Sequence, residues 1–358
     1  MEKVVIAMSG GVDSSVAAYL LKESGYNVIG VTMKIWQSQD PHVLAEKGGC
    51  CGLTAAEDAR FVCNQLGIPH YVLNFSDIFR KTVMDYFADQ YISGNTPNPC
   101  IACNRYVKWQ ALLDKTLQLE ANYMATGHYA SIVRHPQTNR LTIKAADNKK
   151  DQSYALYNLT QSQLAATIFP ISNMQKDDLR ELAAKKLGLR VAHKPDSQEI
   201  CFIPDQNHPK FLEEHLGMPL VQGDFVDTAG NALGRHKGIG HYTIGQRKGL
   251  GMAFGVPMYV KCIDAANAKV VLSDNKSLFS NEMVVDDINF MSLESINGDL
   301  KCFGKIRYSH NKAPVTISQK DNKLMCSFET AQRAITPGQA AVFYDEENRI
   351  ICGGTIVS

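Results

Sequence analysis

The sequence predicts an α/β protein: a doubly wound parallel sheet over residues 1–205, a small central domain over 206–277 and a C-terminal β-barrel over 278–358. Three observations carry this reading. Short apolar runs alternate with amphipathic helical patterns up to about residue 130, the rhythm of parallel strands joined by crossover helices. From Thr228 to Ile263, glycines and short β-like runs replace that rhythm. From Val284 onward β character dominates, over about 75 to 85 residues, a length that suits a closed barrel or a sandwich.

Val4–Met8 reads as a short strand of the buried type. Ser14–Ser24 is a helical pattern with Val16, Ala17, Leu20 and Leu21 on one face, ended by Gly25. Asn27–Met33 is the next strand. Thr54 opens a helix, Glu57 completes a capping box three residues later, and Gly67 stops it. His70–Phe75 is a third strand, Asp77–Ile92 and Arg105–Leu119 are helical, and Tyr123–Thr126 is a short strand. Ser131–Arg134 and Leu141–Ala145 flank a turn as a hairpin, and helical patterns return at Gln161–Ile168 and Gln175–Leu187. In the tail, strands are expected at Lys305–Tyr308, Pro314–Ser318, Leu324–Glu329, Ala340–Phe343 and Ile350–Ile356.

The chain has 358 residues, 45% hydrophobic and 20% charged, enough for two or three globular domains at roughly 150 residues each. That apolar fraction excludes disorder as the main state. Its longest strongly apolar run, Val4–Met8, is far short of the roughly 18 to 20 residues of a membrane span. The opening MEKVVIAMSGG lacks the pattern of a secretory signal, so the expected compartment is the cytosol, with no membrane partner. Thirty-seven Lys and Arg against 36 Asp and Glu give a net charge of +1. Any nucleic-acid face must then be a local patch. Ten cysteines in a reducing compartment are expected as thiols, metal ligands or catalytic groups, not as a disulfide framework.

Ser9-Gly10-Gly11-Val12-Asp13-Ser14-Ser15 joins the first strand to the first helix. Glycines there let backbone N–H groups turn toward a ligand, and the helix start adds positive potential. Together they make a phosphate cradle, with Ser9, Ser14 and Ser15 as added hydroxyls. No lysine follows the glycines, so this is not the common nucleotide loop, nor does it match the dinucleotide spacing. Thr96-Pro97-Asn98-Pro99-Cys100-Ile101-Ala102-Cys103-Asn104 precedes a helix expected near Arg105. The helix end, Arg105 and Lys108 favour thiolates there. By itself the pair Cys100 and Cys103 fits a redox couple, half a metal site or incidental thiols. Cys201 follows the polar run Lys194–Glu199 and precedes Pro204. Cys50 and Cys51 sit in a glycine-rich loop without an assigned role, and Cys63, Cys262, Cys302, Cys326 and Cys352 read as core.

The ordered set SGGVDSS, GCCG, TPNPCIACNRYVKW, ATGHYA, KDQSYAL, DSQEICFIP, HYTIGQRKGLG and RYSHN resembles the bacterial tRNA-specific 2-thiouridylases, the MnmA/TrmU family of PP-loop ATP pyrophosphatases. The resemblance spans essentially the whole chain. It implies ATP-dependent 2-thiolation of the wobble uridine of tRNA. The uracil C2 oxygen is adenylated, sulfur arrives from a cysteine persulfide, and AMP and pyrophosphate leave. It implies ATP with Mg2+, tRNAs of the Glu, Gln and Lys type, and a sulfur-donating relay protein or cysteine desulfurase. Residue by residue, it makes Ala7, Met8, Ser9, Gly10, Gly11, Val12, Asp13, Ser14, Met33 and Gly127 ATP-binding, and Asn98, Pro99 and Cys100 the segment that meets the target base. Cys201 is the persulfide carrier, and Cys103 is the partner that releases its sulfur and leaves a Cys103–Cys201 disulfide. Lys150, Asp151, Gln152, Arg307 and Tyr308 contact tRNA.

Some family members have Asp where this chain has Cys100, so an alternative is a [4Fe-4S] cluster on Cys100, Cys103 and Cys201 that carries the sulfur. Another rival is a PP-loop ligase acting on a small molecule, which accounts for the loop and sheet but not for Cys201 or the β-rich tail. A non-catalytic RNA-binding module would leave the cysteines without purpose. The run Thr228–Ile263 carries Arg235, Lys237, Arg247, Lys248 and Lys261 and no Asp or Glu, the local basic patch that a neutral chain needs to meet phosphates. His128 reads as structural or as an ATP neighbour, not as a metal ligand.

Overall fold

The computed structural model describes residues 1–35, 53–185 and 200–358. Cys50, Cys51, the side chain of Thr54 and the run Lys194–Glu199 lie outside the described residues. The chain forms two compact units. One comprises Met1–Val83, Cys100–Gln206 and Asn348–Ile350, the other Met84–Pro99, Asn207–Glu347 and Ile351–Ser358.

The first unit is the doubly wound sheet. Its strands β1 (Lys3–Ala7), β2 (Asn27–Lys34), β3 (His70–Asn74) and β4 (Tyr123–Ala125) are parallel, with helices α1 (Val12–Glu23) and α2 (Leu53–Leu66) between them. β5 (Ala130–Arg134) and β6 (Leu141–Ala145) make the expected hairpin, and β7 (Thr167–Ile168) adds a fifth parallel strand. The order β3-β2-β1-β4-β7 reverses direction between β1 and β4, which opens a crevice at the carboxyl ends of those strands. Val4, Ile6, Val16, Ala17 and Val28 fill the core between sheet and helices. Close packing of α2 against β2 needs a glycine: a Cβ on Gly30 would stand 2.5 Å from Cys63 Sγ. Burial pushes the Cys63 thiol up to about 12, so it stays protonated filler.

The second unit holds two β structures. β8 (Gly223–Val226), β9 (Ala232–His236), β10 (Tyr259–Asp264) and β11 (Lys269–Ser273) form a sheet in the order β10-β11-β8-β9 around Phe225, Val260 and Leu272. β12 (Phe279–Phe290), β13 (Asp299–Lys305), β14 (Ala313–Lys320), β15 (Lys323–Arg333), β16 (Ala340–Tyr344) and β17 (Ile350–Ile356) close into a barrel in the order β12-β15-β14-β13-β16-β17. Alternation along β15 puts Leu324, Cys326 and Phe328 inside and Lys323, Met325 and Ser327 outside. Cys302, Cys326 and Cys352 are buried there, and burial raises all three thiols.

Three sequence expectations are corrected, and one strand was not foreseen. The expected Lys305–Tyr308 strand ends at Lys305, and residues 306–310 turn. The expected helix Gln161–Ile168 stops at Ala165, because the β-branched pair Thr167 and Ile168 joins the sheet edge beside β4. The twelve-residue β12 was hidden by a register shift between Asp286 and Asn289, with Asp287 at φ 48°, which breaks the alternation. The helix expected at Arg105 begins at Pro99: Pro99–Ala102 leads directly into Cys103–Leu112, which has wider π-type turns, and then Leu113–Gln118. Proline suits a first helical position, having no N–H to leave unpaired.

Gly30→Ala is expected to destabilise the first unit by about 1–3 kcal/mol through overpacking. Adding Cys63→Ala should restore part of that loss in urea unfolding, because the clashing sulfur is gone. Equal losses in the single and double variants would contradict the contact.

Candidate active site

The glycine loop leaves β1 at the crevice and its backbone is fixed from several sides. Met8 N–H donates to Val31 O at 2.8 Å, and Thr32 Oγ1 donates to Met8 O at 3.0 Å. Ser14 and Ser15 hydroxyls both donate to Gly11 O, at 3.1 and 2.8 Å, and Ser9 N–H donates to Ser14 Oγ at 3.2 Å. Gly10 adopts φ 68°, and a Cβ on it would stand 2.4 Å from Ala55 O at the start of α2. A Cβ on Gly127, just beyond β4, would stand 2.9 Å from Asp13 C and Ser14 N. Two backbones therefore meet at the N-terminus of α1, where unpaired N–H groups gather. Ala7–Ser14, Met33 near the end of β2 and Gly127 are thus drawn to neighbouring strand ends, the place where a nucleotide fits this topology.

Sequence reading missed two partners of this loop. Lys176 Nζ donates to both Asp13 carboxylate oxygens, at 2.7 and 2.9 Å, and Tyr129 OH donates to Asp13 Oδ1 at 2.7 Å. The Lys176 side chain is only 10% exposed. It opens the helix Lys176–Lys185, an end where the helix dipole disfavours a cation, so its position answers to Asp13 and not to its own helix. Tyr129 belongs to the ATGHYA motif, and that was the available signal; Lys176 carried none.

The cysteine-bearing helix is anchored by its own motif. Buried Asn104 donates from Nδ2 to Ala155 O at 2.8 Å, and Trp109 Nε1 donates to Thr167 Oγ1 at 2.9 Å. Ala155 belongs to the turn Ser153–Leu156, whose start is held by Asp151. The Asp151 carboxylate accepts from Ala146 N, Ser153 N and Ser153 Oγ at 2.9 to 3.1 Å. Gln152 exchanges bonds with Tyr129: its Oε1 accepts from Tyr129 N at 3.1 Å, and its N–H donates to Tyr129 O at 3.0 Å. Asp151 and Gln152, expected to contact tRNA, thus also hold the site together, while Lys150 flanks them, half-buried.

Cys100 is exposed on the first turn of this helix and Cys103 is half-buried one turn on. Asn98 is half-buried and Pro99 buried. Cys201 is half-buried in a turn closed by Ile203 N–H to Ile200 O at 2.9 Å. Its neighbour Phe202 packs edge-on against Phe79, with ring centroids 5.7 Å apart. The short helix Ser76–Phe79 in turn packs against Cys103–Leu112. The Cys201 turn and the Cys103 helix therefore share one support. Among the described residues no three His, Cys, Asp or Glu side chains group closely enough to hold a metal ion. A cavity of about 680 Å³ lies against the hairpin, lined by Lys144, Asn148, Phe169 and Ser172 among others, and not by the glycine loop.

In the second unit, the Arg307 guanidinium is turned inward, donating to Ala334 O and, at 3.2 Å, to Thr336 Oγ1. Tyr308 is exposed, with Lys305 Nζ 5.4 Å from its ring centre. Arg235 of the basic run is paired with Asp224 at 3.1 Å. Among the described residues no helix is long and apolar enough to cross a membrane.

Three family models match consecutive stretches: a tRNA methyl transferase HUP domain at residues 2–205, a tRNA methyl transferase PRC-barrel domain at 209–274 and an aminomethyltransferase beta-barrel domain at 280–357. The chain is 54% identical to a tRNA-specific 2-thiouridylase MnmA of Lachnoclostridium phytofermentans, over 100% of both chains. Proteins of the same name from Clostridioides difficile and Acetivibrio thermocellus are 51% and 52% identical, covering 99% of this chain and 98% and 99% of theirs. A solved 4-thiouridine synthetase–RNA complex with bound ATP is 19% identical, with a TM-score of 0.38 over 60% of this chain and 50% of that one.

His128 bonds Thr126 Oγ1 at 2.6 Å and packs against Trp109 and Phe169. Burial first, and the Lys108 ammonium second, hold it well below the usual histidine range. His70 shifts the same way, by burial and then Arg60. Below about pH 6.5 the unfolded chain binds protons at these rings that the folded chain does not. Stability is therefore full above that pH and falls as pH drops toward the folded values. His128→Gln should flatten the fall in urea midpoint between about pH 7 and about pH 5. An unchanged slope would show that His128 does not carry it.

Proposed function

We propose that this chain, which belongs to the MnmA family of tRNA-specific 2-thiouridylases, uses ATP to replace the C2 oxygen of the wobble uridine of tRNA with sulfur carried on its own cysteines. The observation that carries this reading is the presence, within one folded unit, of a phosphate cradle and two half-buried thiols on a shared support.

Oxide is a poor leaving group from a uracil carbon. Attack of the C2 oxygen on the α-phosphorus of ATP breaks the bond to pyrophosphate and makes that oxygen part of an AMP leaving group. The N–H groups of the glycine loop and α1 would take up the charge that develops on the departing pyrophosphate. Lys176, held beside the loop by Asp13, would add a cation at the same end. Mg2+ would come with ATP, held mainly by its phosphates. A persulfide on Cys201 is the sulfur store. The Cys103 thiolate attacks the Cys201 Sγ, forms the Cys103–Cys201 disulfide and expels hydrosulfide. Hydrosulfide adds at C2, AMP departs, and a proton is released. An external reductant then restores the two thiols, and a sulfur-donating protein reloads Cys201.

Two of the matching models speak of methyl transfer and the curated relatives of thiolation. The residues favour thiolation, because a PP-loop activates oxygen with ATP and supplies no methyl group. A PP-loop ligase acting on a small molecule would leave Cys103 and Cys201 idle.

Purified protein with ATP, unmodified tRNA and a sulfur donor is expected to yield AMP and 2-thiouridine by nucleoside mass spectrometry. Cys103→Ser and Cys201→Ser should each abolish the thiolated nucleoside while tRNA binding persists. Retained product in either variant would overturn the proposed sulfur path, and a methylated nucleoside would overturn the reaction. Lys176→Ala is expected to lower kcat/KM for ATP by about 10- to 100-fold, the range for losing a hydrogen bond to a charged group. Lys176→Arg should recover part of that loss. No change in kcat/KM with Lys176→Ala would restrict Lys176 to packing.

A further inference from the structure

The basic run Thr228–Ile263 looked uniform in sequence, but its charges differ in their surroundings. Arg235 is neutralised by Asp224. Arg247 instead stands over an aromatic ring, its guanidinium carbon 6.0 Å from the centre of Tyr259. A second guanidinium, that of Arg333 at the end of β15, lies 5.4 Å from the same ring. Among the described residues neither Arg247 nor Arg333 makes an ion pair. Two guanidinium groups therefore gather at one half-buried ring, each within cation–π range of it. A polyanion that reached both would be met by two planar forks of donors.

Arg333 is fixed in advance. Its Nε donates to Asn275 Oδ1 at 2.9 Å and its Nη2 to Gly245 O at 3.2 Å. Gly245 can approach because it has no side chain; a Cβ there would stand 2.9 Å from Ala334 Cβ. The loop HYTIGQRKGLG is thereby seated against the end of β15, and the half-buried Arg333 side chain is held by two of its nitrogens. The positive field extends beyond the pair. Burial, then Arg307, Arg333 and Lys305, depress the titration of His310, so three cations bear on one ring.

We propose that Arg247, Tyr259 and Arg333 form a clamp for the phosphate backbone of an RNA strand. The clamp deepens the reading of this chain as an enzyme acting on tRNA and rests on it. Guanidinium forks match phosphate oxygens in pairs, and contacts of this kind set the position of an RNA without reading its sequence. Tyr259 spaces the two forks and shields one side of them from water.

Arg247 is exposed, so its replacement leaves the fold in place and is the decisive variant. Affinity for an unmodified tRNA transcript would be measured by fluorescence anisotropy across a salt series. Arg247→Ala is expected to weaken binding and to reduce the slope of log K against log salt by about one. The gap between wild type and variant should then narrow about 3.5-fold between about 50 and about 200 mM salt. Arg247→Lys should keep most of the slope, and Arg333→Lys should weaken binding by losing the fixed fork. A transcript of scrambled sequence should lose affinity to the same extent. Parallel slopes for wild type and Arg247→Ala would overturn the clamp, as would a loss confined to one RNA sequence. Wild-type protein that fails to bind tRNA at any salt would instead overturn the functional reading beneath it, so the two failures are distinguishable.

Discussion

The glycine loop of the first unit depends on two backbones meeting where side chains would forbid it. Gly10 yields to the start of α2, and Gly127 yields to the first turn of α1. With a Cβ at either position the strand ends could not close to this distance, and the amide groups at the helix start would not converge. Hydroxyls of Ser14 and Ser15 then turn back on Gly11 O and fix the loop before any ligand arrives. A loop built this way is preorganised: its backbone amides are held in place by the protein's own packing and hydrogen bonds.

From that loop a chain of ordinary hydrogen bonds reaches the thiols. Asp13 binds Tyr129, Tyr129 exchanges backbone and side-chain bonds with Gln152, and Asp151 next to it holds the turn Ser153–Leu156. That turn offers Ala155 O to Asn104, one residue beyond Cys103. ATGHYA, KDQSYAL and the CIACNRYVKW segment are therefore mechanically one assembly. Each motif supplies bonds that hold the next. Asp151 illustrates why a residue type alone does not assign a role: its three accepted bonds are structural whatever else it meets.

The second unit distributes charge differently from sequence density. Its basic run contains an ion-paired arginine, and Arg307 is turned inward toward Ala334 and Thr336. Tyr308 and Arg247 are exposed, and half-buried Arg333 shares the Tyr259 ring with Arg247. Its three core cysteines, buried in the barrel and raised by burial, are the reverse of Cys100, Cys103 and Cys201, which keep some exposure.

The sequence by itself determined the alternation of strand and helix, the glycine loop at the first junction, the hairpin, most barrel strands and the ordered motifs with Cys103 and Cys201. Those features are local: periodicity, turn chemistry and short strings are written in contiguous residues. It could not disclose the start of the cysteine helix, because Pro99 reads equally as a stop before a helix or as its first residue. It could not disclose β12, whose bulge breaks the pattern that marks a strand. Above all it was silent on Lys176, which lies 163 positions from Asp13, and on Arg333 beside Tyr259. Contacts between distant segments carry no local signature. Only the folded packing of sheet, helix and barrel decides which charge meets which, since that depends on distance in space and not along the chain.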